Sequence, residues 1–363
     1  MPTTTTPQPA PLTFGGLTIP AGCRRIFITA ELEPSSGDPR IQPTGFPDVG
    51  PVLYPDPAEK DGLICLIESE PSMANRLEEV CFSNKYEGTL NGTFAGLPYL
   101  KAQTGTGAAA VLKTTSTLDG HRFASDFLAK GKANFGTGDQ TLAEHIKTTL
   151  GMAADGKTMP IANVPNIFPL VLGLDTMSLI HGFQVSNELI SFVGLRLPRA
   201  LSASVIGLGC ERISVPGIKF NVGQVESESG QAIFQKARIT AKKIEARFSI
   251  DVGLLTSLRL DAPTANGQPG AHQTARTQLL LAIALWKVAA FLDLLSVELS
   301  LRTECKLRIK KGTQPQIKFE GGATPAKHDL PYATIAALSL ASEITAANLP
   351  GAVTERSPRV LQF

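Results

Sequence analysis

Between Glu68 and Cys81 the chain reads ESEPSMANRLEEVC, which puts an amide, an arginine and a pair of acids, Asn75, Arg76, Glu78 and Glu79, on one short segment. The guanidinium is a planar fork of donors that suits a carboxylate or a phosphate. Arg76 therefore either fixes an acid inside the fold or reaches a phosphate. Glu78 and Glu79 are adjacent and cannot face each other across a helix, so they build no paired-carboxylate acid–base site. The histidines His121, His145, His181, His272 and His328 show neither HExxH nor HxxxH spacing, no GxSxG elbow is present, and the glycine-rich stretches lack the phosphate-cradling GxxxxGK[ST] pattern. Cys81, on an apolar helix edge, reads as core packing rather than as a nucleophile.

Charge-based holding of a nucleic acid is the chemistry the remaining residues leave open. In VELSLRTECKLRIKKG, from Val297, apolar and polar residues alternate, the period of one long strand with a wet face carrying Arg302, Lys306, Arg308 and Lys310. KARITAKKIEAR, ending at Arg247, adds a second basic stretch. Together they can form a stripe that meets phosphates, or simply a solubilising strand edge. The single Trp286 reads as buried and the tyrosines do not interleave with the basic run, so holding by charge and shape is favoured over base stacking.

The elements that must position these groups follow from pattern. A chain of 363 residues with 43% hydrophobic and 18% charged residues can build one large core or two domains, and a net charge of +2 excludes a globally basic protein. Five scattered cysteines without CxxC spacing indicate neither a disulfide framework nor a zinc knuckle, and a reducing cytoplasm is the simplest compartment. Alternation predicts strands over Arg24–Leu32 and Lys243–Val252, and GLICLIE fits a buried strand or a helix start. Met73, Leu77 and Val80 predict a helix with Pro71 in its first turn and Ser69 or Ser72 as cap. LDGHRFASDFL and Leu142–Leu150 have helical spacing. LLLAIALWKVAAFLDLLS, from Leu279, is interrupted by Lys287 and Asp293 and reads as a buried core helix rather than a membrane span. The order implies an α+β domain with a largely antiparallel sheet, helices on one face, and a βαββαβ plan carrying large insertions. Residues 1–21 read as a flexible lead, 22–350 as one elaborated domain and 351–363 as a tail.

Five segments in order, IQPTGFPDVGPVLY from Ile41, ESEPSMANRLEEVC, TLDGHRFASDFL from Thr117, LRLPRALSASVIG from Leu195 and LRTECKL from Leu301, resemble the repeated backbone subunit of type I CRISPR effector complexes, subtype G. The resemblance spans roughly residues 22 to 312 and rests on the combination of PTGFPD, ANRLE and HRxAS.

That resemblance implies a modified RNA-recognition, ferredoxin-like fold with an inserted thumb. Its copies would stack along one crRNA, hold its phosphate backbone, and leave the bases free to pair with target DNA. The other implied partners are further effector subunits and a separate helicase-nuclease, with no membrane and no cofactor. The implied RNA contacts are Asn75, Arg76, His121, Arg122, Ser125, Arg199, Arg302, Lys306 and Arg308, with Glu78 either orienting Arg76 or capping the motif. Relatives in other CRISPR types cleave target RNA with a loop aspartate, so a metal-dependent ribonuclease using Asp48, Asp119 or Asp139 is the alternative, against which the subtype resemblance speaks.

Overall fold

The computed structural model describes residues 12–46, 50–60, 62–136, 138–191, 194–213, 238–264, 266, 268–302, 305–321, 327–350 and 358–363. The main sheet comprises β1 (Arg25–Pro34), β2 (Leu53–Pro55), β3 (Leu63–Glu68), β4 (Leu201–Arg212), β5 (Ile239–Asp251), β6 (Leu299–Arg302), β7 (Cys305–Ile309), β8 (Gln316–Glu320) and β9 (Lys327–Asp329). Its order is β6-β7-β1-β5-β4-β3-β2, with β8 beside the first half of β1 and β9 on β8; every pairing is antiparallel.

Alternation explains why these segments are strands. Ile26, Ile28, Ala30 and Leu32 of β1 are buried and lie directly opposite Ile250, Phe248, Ala246 and Ile244 of β5, also buried. One face of the sheet is thus apolar across its two central strands, and it needs a cover. Helix α1 (Glu70–Glu79) follows β3 directly and packs on β4. The helix Gln273–Val297, numbered below with its neighbours, packs on β7 and on α1, so both helices share that face. Phe248 of the sheet meets Phe291 of the long helix edge-on, with ring centroids 5.9 Å apart.

Taking β1, α1, β4, β5, the long helix and β7 as the frame, the chain runs βαββαβ and the strands lie side by side as fourth, first, third, second. A large insertion separates α1 from β4. It contains α2 (Leu142–Leu150), α3 (Ile167–Leu174) and α4 (Ser178–His181). After it come the long helix, α5 (Gln273–Val297), and α6 (Tyr332–Ala336) and α7 (Ala341–Ala347), both packed on α5. The expected buried helix is α5. Of its most apolar stretch 72% lies inside the protein, because sheet, α1, α6 and α7 surround it.

Three expectations change. Leu12–Phe14 and Leu17–Ile19 form a hairpin whose Phe14, Leu17 and Ile19 are buried, so the lead is ordered well before residue 21. At the other end, Arg359–Gln362 is the middle strand of a second sheet, parallel to Leu100–Thr104 and beside Lys132–Asn134, so the boundary drawn at residue 351 leaves a structural strand in the tail. LDGHRFASDFL is not one helix: Arg122–Ala124 is a 3₁₀ turn and Asp126–Ala129 a single helical turn, broken where Ser125 is extended.

Candidate nucleic-acid interface

The long alternating stretch from Val297 folds back on itself as β6 and β7, with Ser300 opposite Lys306. No single strand therefore lines up its cations as the sequence suggested; the side chain of Arg302 lies outside the described residues. Lys306 pairs with Glu298 at 3.1 Å, and Arg308 pairs with its cross-strand neighbour Glu33 at 2.9 Å. Lys310 reaches Glu31 at 2.5 Å. The same sheet face carries Arg25 with Asp251, Lys243 and Arg247 with Glu245, and Lys318 with Glu320. The face is a mosaic of exposed or half-exposed pairs, each contributing at most about 1 kcal/mol, and its field is far weaker than a bare basic stripe would produce.

The motif residues on α1 divide between two sides. Asn75 is exposed. Arg76 is half-buried with its Nη2 3.5 Å from the Glu68 carboxylate, so Glu68, not Glu78, is its acidic partner. It also lines a cavity of about 540 Å³ with Glu79, Phe82, Trp286, Asp293 and Leu294. Glu78 points the other way, into the core.

There Glu78 meets Arg122. The Arg122 side chain is 6% exposed and its Nη2 donates to Glu78 Oε1, while Nε donates to the Gly182 carbonyl at 2.7 Å and Nη1 to the Ser116 carbonyl at 3.1 Å. His181 Nδ1 stands 3.6 Å from the same Glu78 oxygen, and Lys287, fully buried on α5, places Nζ 2.8 Å from His181 Nε2. The two ring nitrogens of His181 thus face different elements, Nε2 towards Lys287 on α5 and Nδ1 towards Glu78 on α1. Burial, and then the charges of Lys287, Arg122 and Arg199, hold the His181 pKa well below the ordinary histidine value. Burial pushes the Cys81 thiol up to about 11, against the opposing pull of Lys287. Asp175, also buried, accepts from Ser178 Oγ at 2.8 Å and from the Met177 amide at 3.0 Å.

Arg122 and Ser125, two of the implied RNA contacts, sit inside this network. Both are buried, and the Arg122 guanidinium directs its donors to Glu78 and two carbonyls of the insertion. Arg122 also has φ of +47°, which a non-glycine residue tolerates only when its surroundings hold it there. Its work is to clamp the insertion to α1 while Lys287 and His181 clamp it to α5.

Over this clamp lies an exposed basic turn. Gly182 has φ of +79°, and a Cβ there would stand 2.6 Å from the Leu197 carbonyl oxygen and 3.0 Å from the Arg199 nitrogen, so the two segments touch through a glycine. Phe183–Gln184 pairs with Arg196–Leu197 and packs on the Arg122–Ala124 turn. His121, Arg196 and Arg199 around it are exposed while Leu197 is buried. The structure therefore brings His121 and Arg199 to one neighbourhood and adds Arg196. Its signal, an RLPR run with only the leucine apolar, was visible but ambiguous. Asp119 accepts from the His121 amide at 2.9 Å, Asp139 is exposed at a strand start, and Asp48 lies outside the described residues. Among the described residues no three or more His, Cys, Asp or Glu side chains converge where they could hold a metal ion.

Fold and site together define an α+β protein with a βαββαβ sheet and a large, polar-clamped insertion that presents cations to solvent. The model of the family CRISPR-associated protein GSU0053 matches residues 26–212, and the chain belongs to that family. The matched span runs from β1 through the insertion to the end of β4. No curated protein matches the sequence.

Proposed function

We propose that this CRISPR-associated protein is the non-catalytic backbone subunit of a type I effector complex, subtype G. Copies assemble along one crRNA in the cytoplasm and hold its phosphates. The guide bases remain available to target DNA, and other effector subunits and a helicase-nuclease complete the complex. Family membership supports a role in CRISPR defence. The observation that carries the finer reading is the strand order fourth, first, third, second in a βαββαβ chain, the plan of an RNA-recognition fold, with its insertion ending in an exposed basic turn at Arg196 and Arg199.

The test is RNA binding by the purified chain over a salt series. The wild-type protein is expected to bind guides of unrelated sequence and to form multi-copy particles on them. Arg196→Ala with Arg199→Ala is expected to weaken binding to all guides alike, with a log–log salt slope shallower by roughly 0.7 for each phosphate no longer held. A wild-type chain that neither binds its guide nor assembles on it sinks the reading. An unchanged slope in the double variant removes the basic turn from the interface.

A further inference from the structure

Gly207 on β4 lies directly opposite Cys65 on β3. Side chains at such directly opposed positions stand about 4.5–5.5 Å apart at Cβ. Gly207 has none, and the space is taken by the thiol of Cys210: a Cβ at Gly207 would stand 2.8 Å from Cys210 Sγ. The chain returns Cys210 to this place through Gly209, whose φ is +57°. The two thiols consequently meet across the strands. Both residues are buried, Cys65 at 0% and Cys210 at 4% exposure, and the Cys65 thiol also donates to the Leu66 carbonyl at 3.8 Å.

We infer that Cys65 and Cys210 form a peroxide-sensitive thiol pair, in which Cys210 is oxidised first and Cys65 resolves it to a cross-strand disulfide. The chemistry follows from the asymmetry of the pair. The Cys65 thiol and backbone stabilise the Cys210 thiolate and lower its pKa, while the same contact and burial raise that of Cys65. The Cys210 thiolate attacks one peroxide oxygen, so an S–O bond forms, the O–O bond breaks and hydroxide leaves. The Cys65 sulfur then attacks the sulfenic sulfur, the S–S bond forms, the S–O bond breaks, and water leaves with the Cys65 proton. Two thiols lose two electrons, and the peroxide is reduced to water. In a reducing compartment such a bond is transient and reports oxidant rather than holding the fold together.

The experiment exposes the full chain to hydrogen peroxide, blocks remaining thiols after denaturation, and maps cysteine peptides by mass spectrometry. The expected product is a Cys65–Cys210 cross-link, lighter by two hydrogens and reversed by dithiothreitol. Cys65→Ser is expected to stop at a Cys210 sulfenic acid captured by dimedone. Gly207→Ala, which displaces the Cys210 sulfur but keeps both thiols, is expected to lose the cross-link while its far-ultraviolet circular dichroism stays that of the wild type. Both thiols remaining open to alkylation after treatment that oxidises the methionines would overturn the inference. So would cross-links to Cys23, Cys81 or Cys305 in place of this one, or a Cys65→Ser protein that dimedone does not label.

Discussion

The side chain that separates what sequence shows from what folding decides is Arg122. In HRxAS it has no periodic neighbours, and its partners Glu78, Ser116 and Gly182 come from three other segments. Burial of a guanidinium cannot be read from such a motif, because only the assembled acceptors offset its desolvation. Arg122→Ala leaves Glu78 buried beside His181 without its cation, so unfolding by urea is expected to show a loss of about 3–5 kcal/mol. Substituting both Arg122 and Glu78 by apolar residues should cost less than the sum of the single changes. His181 adds a pH dependence. Its folded pKa lies well below the ordinary 6.5, mainly through burial. As pH falls through that value the unfolded chain takes up a proton that the folded chain refuses, so the stabilisation is complete above it and declines below it. His145, stacked on Phe135 at 4.2 Å and held at about 4 by burial and by Arg359, acts with the same sign. Stability measured down an acid series should fall below about pH 6.5, and His181→Gln should flatten part of that slope if its fold is retained. An unaltered slope would mean that His181 contributes nothing to it. Asn75, by contrast, was legible: a polar residue off the Met73–Leu77 stripe is exposed as helical spacing requires.

Elements were legible where pattern and punctuation agree. The helix expected at Leu142–Leu150 has those bounds, because Thr141 and Glu144 close a capping box at its start and Gly151, with φ of +61°, ends it. Thr141→Ala is expected to lower stability by about 1 kcal/mol in thermal or urea unfolding, with RNA binding unaffected. The predicted strand from Val297 shows how the same reasoning fails. A hairpin preserves two-residue alternation on both arms, so period alone cannot tell β6 and β7 from one strand. The acids that neutralise Arg308 and Lys310 belong to β1, the neighbour that only the sheet order supplies. Gly182 is the element-scale test of the basic turn. Gly182→Ala forces a Cβ against the Leu197 carbonyl at a positive φ, so a destabilisation of more than about 1 kcal/mol is expected in urea unfolding. A weaker or absent effect would mean that the two segments do not depend on that close approach.

At the scale of the whole molecule, part of the βαββαβ frame was readable, because β1 and β5 alternate and α5 is too apolar to lie anywhere but inside, whereas β4 breaks the two-residue period with three consecutive buried residues from Val205 to Gly207. The second sheet was not, since its middle strand comes from a part of the chain far from the other four, and RVLQF carries no alternation by which to find it. Yet Arg359–Gln362 supplies the ladder to both Leu100–Thr104 and Lys132–Asn134, buries Leu361, and places Arg359 4.8 Å over the Phe135 ring. Removing residues 358–363 would leave facing strand edges unpaired within the protein and a void where Leu361 sits. Among the described residues, the main sheet makes none of its strand pairings with that segment. Hydrogen exchange on the truncated chain is therefore expected to show reduced protection at Leu100–Thr104 and Lys132–Asn134, with β1 and β5 still slow. If all four regions stayed protected, the terminal strand would be an ornament on the second sheet. If β1 and β5 also opened, the two sheets would unfold as one unit, with the Glu78–Arg122 clamp as a physical route for that coupling.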